Sequence, residues 1–214
     1  MKKIIAVLLA AVTVLCLFAA CGGKTKNNEP EEVETLKSGD FEYVLLEDGT
    51  AEIVKFNATE MLDKITLPDA FDTVNVTSIG EGAFKDSKAL KEVYLPRHIT
   101  VIKKGAFEGS SIKNAFMVSC RDLKTIEENA FAGCENLVQV DVSSTVETIG
   151  KDAFAGCKAL MVFTLRGDTA LDANMFTDAN TFTLWTYKAN KGVTEFGKNN
   201  NYEVKYLPDT ASAK

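Results

Sequence analysis

"IEENAFAGCENL", Ile126 to Leu137, returns as "IGKDAFAGCKAL", Ile149 to Leu160, with its first residue 23 positions further on. An aliphatic residue, an Ala-Phe pair, a Gly-Cys pair and a closing leucine are kept, while the polar positions between them change. Working outward, the same phenylalanine recurs as Phe84, Phe107, Phe131, Phe154 and Phe176, at intervals of 23, 24, 23 and 22 residues. An aliphatic residue stands five before each: Ile79, Ile102, Ile126, Ile149 and Leu171. Ala83, Ala106, Ala130 and Ala153 precede it directly, and Met175 takes that place in the last copy. Six after it come Leu90, Leu137, Leu160 and Phe182. Nine after it come Val93, Phe116, Val140, Phe163 and Trp185, and two further on Leu95, Val118, Val142, Leu165 and Tyr187.

Apolar residues at i and i+2 in a short segment mark a strand with one face buried. Repetition at this period means a stack of coils, because a single unit of this size cannot bury its own apolar face. Each copy is then one turn of a solenoid, with the L-x-x-L-x-L segment as its strand and "NAFAGC" as its return leg. The alanines let neighbouring coils approach, and the phenylalanines are expected to stack into an internal spine. Copy two is irregular: Ile112 falls one place early and "SCRD", Ser119 to Asp122, carries an extra residue before Leu123. A bulged loop is expected there.

The phrases "VTSIGEGAF", "TIEENAFAGCENL" and "TIGKDAFAGCKAL" resemble the BspA-like leucine-rich repeats of bacterial surface proteins, over about residues 38–208. The resemblance implies a repeat solenoid, mainly β, with short helical or irregular return segments. It also implies an N-terminal β-hairpin cap and a C-terminal cap of helix and strand. "FEYVLLEDGTAEIVKF", Phe41 to Phe56, suits the hairpin, with Asp48-Gly49 as its turn. "ITLP" at Ile65 to Pro68 parallels "VYLP" at Val93 to Pro96 as a partial first strand, and "KGVTEFGKNNNYEVKYL", Lys191 to Leu207, suits the closing helix, turn and strand. Caps of this kind cover the terminal coils.

Ahead of the repeats, Lys2 and Lys3 precede an apolar run from Ile4 to Ala20, the pattern of a secretory leader. Its end, "LFAAC", Leu17 to Cys21, resembles the lipobox of bacterial lipoprotein signal peptides, which implies a lipid on Cys21 and anchorage to the bacterial membrane from outside the cytoplasm. Gly22 to Gly39 has almost no large apolar side chain and reads as a flexible acidic spacer. The expected division is therefore 1–20 leader, 21–38 lipidated cysteine and linker, 39–78 N-terminal cap and partial repeat, 79–190 repeats, 191–208 C-terminal cap, and 209–214 disordered tail.

Little in the sequence suggests chemistry. Cys120, Cys134 and Cys157 are an odd set in the body, and the latter two occupy a slot filled elsewhere by Ser87, Ser110 and Ala179. That pattern fits buried free thiols better than a disulfide framework. His98 is the sole histidine, and it follows a strand exit where a solvated loop residue is expected. No hydrolase, P-loop or zinc motif is present, so neither an enzyme nor a cofactor or metal is expected. The net charge is −6, and losing Lys2 and Lys3 with the leader, which holds no acid, makes it −8. Such a surface repels phosphate backbones and argues against a nucleic-acid partner.

The outward strand positions remain, and repeat proteins commonly place binding surfaces there. The phase above puts Glu92, Tyr94 and Pro96 outward, then Ala115, Met117 and Ser119, then Gln139, Asp141 and Ser143, then Val162, Thr164 and Arg166, and finally Leu184, Thr186 and Lys188. The candidate ligand-binding residues are Glu92, Tyr94, Met117, Gln139, Asp141, Val162, Thr164, Arg166 and Thr186. The resemblance implies adhesion or recognition of extracellular proteins or glycans. The alternative is a structural envelope component that packs with itself or with other envelope proteins.

Overall fold

The computed structural model describes residues 33–208. The expected leader, Cys21, most of the linker and the tail 209–214 lie outside the described residues. In chain order the first strands are β1 (Leu36–Ser38), β2 (Phe41–Leu45), β3 (Ala51–Phe56), β4 (Leu62–Thr66), β5 (Ala70–Phe71), β6 (Val74–Ile79), β7 (Leu90–Tyr94) and β8 (Val101–Ile102). They are followed by β9 (Asn114–Phe116), β10 (Thr125–Ile126), β11 (Gln139–Val142), β12 (Thr148–Ile149), β13 (Val162–Leu165), β14 (Thr183–Thr186), helix α1 (Lys191–Asn199) and β15 (Glu203–Tyr206).

Two sheets are wound from these strands. One runs β4-β7-β9-β11-β13-β14-β15 and is parallel throughout, one strand per coil. The other runs β1-β2-β3-β6-β8-β10-β12, with β5 paired to β6. It is antiparallel in the hairpin and parallel from β3 onward. The expected hairpin is β2 and β3, with Thr50 N–H donating to Asp48 Oδ1 at 2.9 Å in the turn. β1 pairs antiparallel with β2, so Leu36–Ser38, read from composition as spacer, is ordered by backbone pairing that composition cannot reveal. "ITLP" lies in register with "VYLP": Ile65 pairs with Val93, Thr66 with Tyr94, and Leu67 N–H donates to Tyr94 O. At the far end α1 buries Val193 and Gly197. A Cβ on Gly197 would come within 2.4 Å of Val204, which is how closely the helix lies on β15.

The phenylalanine spine forms as expected. Neighbouring ring centroids are 5.2 Å apart for Phe56–Phe84, 4.8 Å for Phe84–Phe107, 4.9 Å for Phe107–Phe131, 5.3 Å for Phe131–Phe154 and 5.9 Å for Phe154–Phe176. Offset-stacked spacing of this kind adds a modest term to the burial of each ring. Alongside it runs a third backbone ladder, besides those of the two sheets: the N–H of Phe84, Phe107 and Phe131 donates to the oxygen of Ala106, Ala130 and Ala153 on the next coil, at 2.7–2.8 Å. The return leg bends at two left-handed positions. Two residues before phenylalanine, Gly82, Gly105, Asn129 and Asp152 have φ of 63°, 59°, 58° and 55°; two after it, Asp86, Gly109, Gly133, Gly156 and Asp178 fall between 54° and 67°. Gly, Asn and Asp tolerate this region best, which explains the composition of "NAFAG" and "DAFAG".

Candidate binding face

The single parallel sheet presents its outer side in rows, because paired strands bring equivalent positions of successive coils side by side. One row holds Lys64, Glu92, Asn114, Gln139, Val162, Thr183 and Glu203. The next holds Thr66, Tyr94, Phe116, Asp141, Thr164, Trp185 and Lys205. Of the candidate residues, Glu92, Tyr94, Gln139 and Val162 are outward and half-buried, as expected. Arg166 is half-buried beside them, while Asp141 and Thr164 are almost covered by their neighbours.

Two candidates are corrected. Met117 and Thr186 are fully buried and point into the core. Val93 pairs with Ala115 and Phe163 with Leu184, so copies two and five reach the strand one residue sooner than the others. A slip of one residue exchanges the two faces of a strand. Ala115, Met117, Leu184 and Thr186 therefore turn inward, while Phe116, Val118, Trp185 and Tyr187, expected inside, do not. Copy two more than regains the lost residue in its loop, which is two longer than the others: six positions separate Met117 from Leu123, where four separate Leu95 from Ile99 and Val142 from Val146. The longer loop accommodates buried Cys120, whose carbonyl accepts from Ser143 Oγ at 2.6 Å. Pro96 and Ser143, read as outward, are covered as well.

The corrected face gathers aromatic rings. Tyr94 and Phe116 have centroids 4.9 Å apart, and Lys64 Nζ lies 4.3 Å from the Tyr94 centroid. Trp185 occupies the same row further along, with Lys205 Nζ 5.8 Å from its centroid. Between them Arg166 donates through Nε to Asp141 Oδ1 and through a terminal nitrogen to Asp141 Oδ2, each at 2.8 Å. Such a two-pronged pair fixes both side chains. The Asp141 carboxylate, with help from Tyr187, pushes the guanidinium pKa further up. Asn114 Nδ2 donates to Glu92 Oε1 at 3.1 Å, and Thr183 Oγ1 to Glu203 Oε2 at 2.9 Å.

The groups weighed for chemistry lie elsewhere. Burial pushes the Cys134 thiol up to about 11 and the Cys120 thiol up to about 12. Cys157 is also raised, by burial first and then by the neighbouring Cys134. All three are free and buried, so they remain protonated thiols; Cys134 and Cys157 donate to Phe107 O and Phe131 O at 3.0 and 3.3 Å. His98 is on an exposed loop, with Nδ1 3.0 Å from Asp122 Oδ2. A groove of about 350 Å³ runs over Thr125, Ile126, Thr148 and Ile149 on the other sheet, and the Lys104 and Glu128 side chains at its border pair with each other at 3.3 Å.

The geometry defines a class: a parallel β solenoid of short repeats that carries an exposed, aromatic-bearing sheet. The chain belongs to the BspA type leucine rich repeat family, whose pattern matches six copies over residues 52–183. Among solved structures, a T. pallidum leucine rich repeat protein is similar at 21% identity and a TM-score of 0.62, with 71% of each chain covered. The pneumococcal vaccine antigen PcpA is similar at 18% identity and a TM-score of 0.57, over 73% of this chain and 51% of that one. At these identities the likeness is one of fold. No curated protein sequence matches the chain. Repeat proteins of this family and fold typically serve as binding modules.

Proposed function

We propose that the chain is a lipid-anchored binding module displayed outside a bacterial cell, which recognises its partner through the outer side of the sheet β4-β7-β9-β11-β13-β14-β15. The observation that supports this most is the row Tyr94, Phe116, Asp141, Thr164 and Trp185 on the outer side of the sheet, where half-buried aromatic rings flank a fixed ion pair. Aromatic and arginine side chains supply much of the energy at binding surfaces. The sequence "LFAAC" supports a lipid at Cys21, and two or more acyl chains hold a protein stably on a membrane.

The test is retention of surface components by the immobilised chain. Tyr94→Ala, Phe116→Ala and Trp185→Ala should each weaken capture about tenfold, equivalent to about 1.4 kcal/mol, whereas Thr125→Ala and Thr148→Ala on the other sheet should not. Equal loss from both sets would reject the face. In the producing cell, Cys21→Ser should stop incorporation of labelled fatty acid and release the chain from membranes; unchanged labelling would reject the anchor. One observation favours the alternative of a self-packing envelope component. The outward row begins at Lys64 on β4 and ends at Glu203 on β15, opposite charges that a head-to-tail stack of copies would bring together. Sedimentation that depends on concentration would support it.

A further inference from the structure

We propose that two copies of this chain pair end to end through β15, the last strand of the parallel sheet, about a two-fold axis normal to that sheet. This contact is separate from the binding face above and does not depend on it. β15 is bonded to β14 along one edge: Glu203 lies beside Thr183, Lys205 beside Trp185, and Leu207 N–H donates to Thr186 O. Successive residues of a strand turn their N–H and O groups to opposite edges, so those of Val204 and Tyr206, with the Tyr202 oxygen, face away from β14. None of these groups is bonded among the described residues.

The side chains of this strand are uncovered as well. Phe182, Leu184 and Thr186, on the inner side of the preceding coil, are 2%, 0% and 0% exposed. Their neighbours one coil on are covered less: Tyr202 and Val204 are half-buried and Tyr206 is 39% exposed, because no described coil lies beyond them. Helix α1 backs them from the inner side, where Gly197 lies against Val204, and leaves the edge itself open.

An unpaired strand edge is a template for another strand, and the sequence of this one selects a copy of itself. "YEVKY", Tyr202 to Tyr206, is symmetric about Val204 except in charge. In an antiparallel pair centred there, Val204 lies opposite the partner's Val204, and the two exchange N–H···O bonds. Tyr206 N–H reaches the oxygen of the partner's Tyr202, and the reverse contact is made as well. Glu203 falls opposite the partner's Lys205, and Lys205 opposite the partner's Glu203. Opposite charges facing each other across paired strands stabilise them, and like charges do the reverse. Tyr206 falls opposite the partner's Tyr202, which covers its exposed ring. Such self-complementarity is what a two-fold contact requires. A lysine alone would guard a strand edge against pairing; the glutamate two residues before it lifts the guard for this antiparallel partner. β4, at the other end of the sheet, lacks the arrangement, since the same axis placed at Lys64 would set two lysines against each other. Because the axis is normal to the sheet, the outer sides of both copies face the same way and join into one longer surface. Two linked sites hold a repeating partner more tightly than either site alone.

The experiment sediments the full chain carrying Cys21→Ser, which removes the proposed lipid, over a wide range of concentration. The expected result is an equilibrium between monomer and dimer that stops at two copies. Glu203→Lys and Lys205→Glu should each raise the dimer Kd about tenfold, with the thermal melt of each variant showing that it is folded. Glu203→Lys and Lys205→Glu combined should restore pairing, because the exchanged charges again face their opposites. Tyr206→Pro, which removes an edge N–H that has no bond within the described residues, should abolish pairing, and Lys64→Glu should leave it unchanged. A monomer at every concentration would overturn the proposal, as would a dimer that the combined exchange fails to restore. Growth beyond two copies that Lys64→Glu abolishes would overturn it in favour of the head-to-tail stack.

Discussion

Asn129 and Asp152 are held in left-handed backbone where the first copies use Gly82 and Gly105, so the fold requires a conformation at this slot and accepts three residue types that reach it. An alanine there pays the full steric cost of its Cβ. Asn129→Ala should lower stability by about 1–2 kcal/mol, whereas Asn129→Gly should leave it within about 0.5 kcal/mol; urea unfolding of both variants measures the difference. The slot three after phenylalanine follows a different rule, of size and burial. Cys134 and Cys157 fill it as small apolar residues with a weak donor, and Ser87 fills it with a buried hydroxyl that has no partner among the described residues. The thiols are there for their volume, and their raised pKa values keep them chemically quiet.

The strands show how a one-residue change within a repeat reverses which side chains meet solvent. The β9 segment "NAFMV" places Ala115 and Met117 inside and Phe116 outside. Met117→Asp should therefore cost about 4 kcal/mol, as a buried unpaired charge. Phe116→Asp should cost about 1 kcal/mol, mainly from lost stacking on Tyr94. Thermal melts of the pair distinguish the two registers, and equal losses would contradict the pairing of Val93 with Ala115. The spine was legible in the sequence because it rests on a pattern that recurs in every coil; the hairpin and the closing helix and strand were legible because their segments match the caps that the family resemblance implies. The outer face was legible only in the coils that keep full length. Early Ile112 marks the shift in copy two, and the same one-residue shift exchanges the faces of Phe116 and Met117. In copy five, Phe182 occupies the leucine slot and conceals the missing residue, which lies between Phe182 and Leu184. The left-handed slots could also have been found, from the restriction of one position to Gly, Gly, Asn and Asp.

At the scale of the molecule, charged side chains lace one coil to the next. Lys85 pairs with Glu108, Lys104 with Glu128, Lys124 with Glu147 and Lys158 with Glu135, at 2.6–3.3 Å. Lys158 holds the Glu135 carboxyl below its usual range, and Lys91 does the same for Asp63. A depressed carboxylate contributes stability that is complete above its unfolded value and lost as pH falls through its folded one. The melting temperature should therefore be level from neutrality to about pH 5 and decline below about pH 4. A melt that rose in acid would contradict this. These pairs are exposed, so the decline should be gradual rather than a collapse. The three backbone ladders and the ring spine that cross the coil boundaries also have a mechanical consequence. Were the chain anchored and bound to a partner as proposed, drawing the two apart would put it under tension. Force that reaches the terminal coil strains only the bonds of one boundary at a time, so the solenoid yields by peeling. Each released coil of 23 residues would lengthen the tether by about 75 Å, and the fold would lengthen in steps under load before the rest of it gave way.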